Sequence, residues 1–131
     1  MTTPFWCILI ASLLPYAWSS AAVKARADQF GEVDNRLPRA QQARLVGWGA
    51  RALGAAANGF ETFPAFAAAA IVAHIAGADP GWSAIWSVVY VAARILHGIF
   101  YAVDLDKLRS AAFGLGQVCA VALFVLGARA S

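Results

Sequence analysis

The chain has 131 residues, ten Lys/Arg against seven Asp/Glu for a net charge of +3, with 61% apolar and 13% charged residues and a mean hydropathy of +0.64. A soluble domain carries roughly 45–50% apolar and about 25% charged residues, so the composition excludes a soluble globular enzyme and a disordered tail. A bilayer core of about 30 Å takes ~20 apolar residues per helix, which predicts a single all-α integral membrane domain over residues 1–131, a bundle of four transmembrane helices.

The first span is predicted at residues 4–23, which carry no charge. A cleaved signal peptide is the competing reading, disfavoured because Lys24 and Arg26 follow the apolar run rather than precede it. Pro15 is expected to kink this helix. Residues 24–44 are polar and mix Lys24, Arg26, Arg36, Arg39 and Arg44 with Asp28, Glu32 and Asp34, forming the one long connection. The second span, about 45–76, exceeds one bilayer thickness and is interrupted by Arg51, Asn58, Glu61 and His74. The string from Gly77 to Trp82, GADPGW, reads as a tight loop. A third span at 82–103 carries Arg94 and His97, and a fourth is expected at about 108–128.

Positive residues in short loops remain cytoplasmic. Five lie in the first connection and two, Lys107 and Arg109, in the third, while the Gly77 to Trp82 loop has none. Both termini are therefore expected on the non-cytoplasmic side of a multi-pass protein, a bacterial inner-membrane type. The tryptophans, Trp18 among them, are read as interfacial anchors. Ala50, Gly54 and Asn58 at four-residue intervals favour close helix packing. The modest basic excess has no dense run and argues against a nucleic-acid partner. Cys7 and Cys119 lie in apolar stretches and suggest neither a disulfide framework nor a metal site.

The chemistry lies in polar residues at membrane depth. Arg51, Asn58 and Glu61 fall within about 80° on one helix face, and Arg94, His97 and Tyr101 within roughly 60° on the next span. Such groups cost at least ~2.5–3.5 kcal/mol each on insertion scales, so they face protein and find partners. One reading is structural: a buried Glu61–Arg94 ion pair with Asn58 bonded between helices. The other is a pocket for an anionic small molecule. His74, near a helix end, reads as interfacial, and Pro64 as a kink.

The string RALGAAANGFETFP from Arg51 to Pro64, followed by RILHGIFY from Arg94 to Tyr101 and KLRS from Lys107 to Ser110, resembles three successive motifs of the MAPEG family, the membrane-associated proteins of eicosanoid and glutathione metabolism. The resemblance covers nearly the whole chain. It implies a homotrimer of four-helix subunits that binds the cofactor glutathione between subunits on the cytoplasmic side, in contact with membrane lipid and acting on a lipophilic small-molecule substrate. By position it implies Arg51, Asn58, Glu61, Arg94, His97 and Tyr101 as glutathione contacts, with Arg109 stabilising the thiolate beside Ser110. Gly54 stands where many members carry a further arginine. The implied activity is a glutathione transferase or peroxidase. The alternatives are a proton-coupled exporter of small multidrug type built on Glu61, which Arg94 on the facing stripe argues against, and a non-catalytic membrane scaffold.

Overall fold

The computed structural model describes residues 1–130 as helices joined by short connections. Four are long and apolar enough to cross a membrane: α1 (Thr3–Phe30), α3 (Gly47–Ile75), α4 (Pro80–Ala102) and α5 (Asp106–Ala130). Between the first two lies α2 (Pro38–Gln42), a single short turn of helix in the long connection. The molecule is thus a multi-pass, four-helix membrane protein.

Local chemistry moves several boundaries away from those read in the sequence. Helix α1 does not stop where its uncharged run ends at Val23 but continues to Phe30, supported on its polar end by Lys24 paired with Asp28 at 2.6 Å across one turn. It ends where Gly31 enters the left-handed region at φ 80° and donates its N–H to the Ala27 carbonyl, a termination that glycine allows without a Cβ clash. Helix α4 begins inside the string expected to be wholly loop. Asp79 caps it by accepting the Trp82 N–H at 2.8 Å, and Pro80 occupies the first helical position, where no N–H is needed.

Packing is closest between α1 and α3 and between α4 and α5, with α3 also touching α4 and α5 and α1 touching α4. The core is made of small side chains around a few large ones: Ala69, Ala70 and Ala73 of α3 meet Cys7 and Ala11 of α1 and Cys119 and Leu123 of α5. Phe66 and Tyr90 stack in parallel at 3.8 Å between centroids. Large apolar residues such as Leu13, Ile85, Val118 and Val121 point outward, as helices surrounded by lipid require. Without water to drive burial, close approach of small residues is the source of attraction.

The packed face of α3 is rotated from the one expected. Gly49, Ala52, Ala55, Ala56, Thr62 and Ala69 are buried, whereas Ala50 is exposed and Asn58 and Gly54 are half-buried. Pro15 is accommodated by a glycine: a Cβ on Gly59 of α3 would lie 2.7 Å from its Cγ. Trp18 also packs inside the bundle: its indole rests on Gly98 of α4, where any Cβ would overlap it.

The long connection is tied down by a buried arginine. Arg26, 3% exposed, donates from Nε to Gln41 Oε1 and from Nη2 to the Asp34 carbonyl, each at 2.6 Å. Gln41 in turn donates to the Glu32 carbonyl and accepts the Asp34 N–H.

Candidate ligand-binding site

A polar cleft opens at the end of the bundle that carries the α4–α5 turn. It has a volume of about 250 Å³ and is lined by Asn58, His97, Tyr101, Arg109, Ser110 and Phe113. Three helices contribute. Asn58 comes from the middle of α3, His97 and Tyr101 are one turn apart on α4, and Arg109, Ser110 and Phe113 occupy the first turns of α5.

Arg94 lies directly behind this cleft and is 6% exposed. Its Nη2 donates to Asn58 Oδ1 at 2.6 Å and stands 3.4 Å from Nδ1 of His97. Facing a donor, Nδ1 is assigned as the acceptor, which leaves the imidazole proton on Nε2. Nη1 of the same guanidinium is buried and has no partner among the described residues. A cation held in this way, by neutral acceptors and with a free buried N–H, is only partly satisfied.

Arg109 sits over the ring of Tyr101 at 4.5 Å, a cation–π contact that also holds the phenol in place. His97 meets the same ring edge-on at 5.6 Å. On its far side Tyr101 lies against the α3 backbone at Gly54, where a Cβ would come within 2.5 Å of the phenol oxygen. The absence of a side chain at Gly54 is therefore what lets Tyr101 reach across to α3.

The structure brings together Asn58, Arg94, His97, Tyr101, Arg109 and Ser110, but not every residue singled out in the sequence. Arg51 turns away, donating Nε to the Ala102 carbonyl at 3.1 Å and lying 3.8 Å from Asp104, so it caps the end of α4. The chain closes the same end itself, with Asp104 at φ 64° and the Leu105 N–H donating to the Phe100 carbonyl at 2.9 Å. Glu61 is exposed on the outer face of α3. Among the described residues it makes no ion pair with Arg94, so the buried-pair reading of these stripes does not hold. Ser110 Oγ donates to the Asp106 carbonyl at 3.0 Å within its own helix.

Sequence reasoning missed Phe113, and it marked Gly54 for close packing without its partner Tyr101. Phe113 shares a helical face with Arg109 and Ser110, so its spacing carried a usable signal. The Gly54–Tyr101 contact joins two helices, and no local pattern announces it.

The cleft thus presents one arginine, a carboxamide, an imidazole and a phenol, with a second arginine, Arg94, buried behind the carboxamide and Glu61 directed elsewhere. Its chemistry is that of a site for an anionic ligand rich in hydrogen-bonding groups. Comparison with known proteins agrees with a particular lineage: the MAPEG family profile matches residues 3–129. No curated protein and no solved structure matches the chain.

Proposed function

Because the chain belongs to the MAPEG family, we propose that it binds glutathione in the cleft between α3, α4 and α5 and serves as a glutathione transferase or peroxidase on lipophilic electrophiles. The observation that carries this reading is the buried Arg94, whose Nη1 has no partner among the described residues while Nη2 is bonded to Asn58. A buried guanidinium in that state gains most from an anion. The donor set fits the cofactor: glutathione is anionic, rich in amide groups and bears a thiol. When bound it supplies that thiol as the nucleophile.

Each residue then has a role. Arg94, from behind, holds the Asn58 carboxamide towards the ligand and adds a buried positive charge that favours an anion in the cleft. His97, kept in one tautomer by Arg94, offers Nε2–H as a donor. Arg109, held over Tyr101, places a permanent positive charge at the mouth of the cleft, where it favours the ionised form of a thiol.

We further assign a homotrimer with the ligand shared between subunits. A cleft of about 250 Å³ is smaller than the roughly 300–1,000 Å³ of ordinary ligand pockets, and the exposed Glu61 of mid-α3 calls for a protein neighbour rather than lipid. In this orientation the first and third connections face the cytoplasm, where glutathione is supplied, and the electrophile arrives through the bilayer.

Isothermal titration of the purified protein in mild detergent with glutathione tests the reading. Binding in the micromolar to millimolar range, weakened at least tenfold by Arg94→Leu, is the expected result. No heat of binding with the folded wild-type protein rejects it in favour of a scaffold.

A further inference from the structure

A second cavity, of about 320 Å³, lies at the opposite end of the bundle, between the start of α1, the end of α3 and the first turn of α4. Its apolar walls are Pro4, Ala70, Ala78, Pro80 and Ala84; Thr2, Thr3 and His74, all exposed, are polar groups at the rim, and Ser83 is the buried polar member. His74 is exposed and packs edge-on against Phe5 at 4.7 Å between centroids, so it belongs to the rim. Pro4, Ala70, Ala78 and Ser83 are buried and form the deep part.

Ser83 sets this cavity apart from a packing gap. It is 6% exposed, and its Oγ is buried without a hydrogen-bond partner among the described residues. Five other helical hydroxyls, those of Ser12, Ser20, Thr62, Ser87 and Ser110, return to the carbonyl of the preceding turn. The Asp79 carbonyl one turn before Ser83 accepts the Ser83 backbone N–H but not its hydroxyl. A native protein rarely leaves such a donor unpaired in its interior unless something else supplies the acceptor.

The walls restrict what that acceptor belongs to. No carboxylate, lysine or arginine lines the cavity, so a charged ligand would enter without a counter-charge. An ordered water needs two to four polar partners, and among the side chains of the deep part the Ser83 hydroxyl is the one polar group, with Thr2, Thr3 and His74 confined to the exposed rim. The volume falls within the range of small-molecule sites and suits a molecule of about two rings. We propose that this cavity is a binding site for small, neutral, largely apolar carbonyl compounds, such as aryl ketones, whose carbonyl oxygen accepts the Ser83 O–H while the rest lies against Pro4, Ala70 and Ala84. The site is separate from the arginine-lined cleft and does not depend on glutathione.

Benzophenone is a direct probe, being a neutral two-ring ketone that attaches covalently to nearby C–H bonds under near-ultraviolet light. The intact protein in mild detergent is irradiated with it, and the attachment sites are mapped by peptide mass spectrometry. Labelling concentrated on the Pro4, Ala70 and Ala84 segments is expected. It should fall about fivefold in Ser83→Ala, the loss of roughly one hydrogen bond, with thermal stability unchanged or slightly raised. Ser87→Ala, whose hydroxyl is bonded to the Ser83 carbonyl and lies outside the cavity, should label as the wild type does. Ala84→Phe, which fills the space, should abolish the signal. Equal labelling of wild type and Ser83→Ala overturns the proposal, as does labelling spread as heavily over outward positions such as Val118 and Val121.

Discussion

Arg94 concentrates the physics of the candidate site in one side chain. Its guanidinium is out of reach of solvent, bonded to a neutral carboxamide and lacking a carboxylate partner among the described residues. Replacement by Leu removes a buried charge that is poorly compensated, and such replacements are often neutral or stabilising. Arg94→Leu is therefore expected to fold with unchanged or higher thermal stability while glutathione binding falls at least tenfold; a joint loss of both would make the residue structural. Arg109 is argued differently, because it lies at the cleft mouth over Tyr101 rather than inside the bundle. A free thiol with pKa about 8.5 is only ~3% ionised at pH 7, and a drop of roughly two units raises that to ~75%. Arg109→Leu should return the ultraviolet thiolate signal of bound glutathione towards the free-thiol pH profile, with Lys107→Leu, whose side chain is exposed, leaving it in place. Gly54 completes the set. Its missing Cβ admits the Tyr101 phenol, so Gly54→Ala should displace Tyr101 and cost about 1–3 kcal/mol of stability as overpacking does, read by thermal unfolding.

At the scale of elements, what could be read from the sequence is what hydropathy and local chemistry control. Four spans follow from apolar length, and the polar positions on α3 and α4 follow from helical spacing. The ends of helices were less legible, because they depend on side chains acting as caps. Asp79 and Pro80 start α4 inside a string rich in turn residues, and Gly31 ends α1 well past its apolar run. Partners across the bundle were not legible at all: Trp18 on Gly98, Tyr101 on Gly54 and Arg51 on Ala102 each join different helices. The same limit hid the role of Arg26, which sequence reading treats as a topology marker and the fold uses to fasten α2 to α1. Arg26→Ala strands Gln41 and the Asp34 carbonyl and should cost about 1.5–3 kcal/mol, seen first as faster trypsin cleavage within residues 32–44. A pH effect belongs to this loop as well. Asp34 accepts the Leu37 and Arg36 amides, and these bonds hold its carboxyl below the usual carboxylate range. A depressed folded pKa means that the stabilisation is complete above the unfolded value of about 4 and is lost as pH falls towards the folded one. Hydrogen exchange at the Arg36 and Leu37 amides should accelerate below pH 4 relative to helix α4, and Asp34→Ala should make that acceleration present at neutral pH.

For the whole molecule the outward surface is what decides assembly. Most of it is aliphatic and suits lipid, with Leu13, Ile85, Val118 and Val121 exposed, but Glu61 stands exposed near the middle of the 29-residue α3. A carboxylate at the bilayer centre costs at least ~2.5–3.5 kcal/mol on insertion scales, and within one subunit Arg94 does not relieve it. The charge is relieved if a neighbouring copy covers that face, and three copies around an axis give every Glu61 the same cover. Native mass spectrometry in mild detergent is accordingly expected to show a trimer, and Glu61→Leu separates the two settings of the residue by sign. If Glu61 faces a neighbour's polar groups, the leucine weakens the trimer and lowers glutathione affinity together, shifting the spectrum towards monomer at higher detergent. If Glu61 faces lipid, the leucine instead raises thermal stability and leaves both the oligomer and the binding unchanged. A wild-type protein that is monomeric while folded and competent to bind glutathione would remove the shared site altogether.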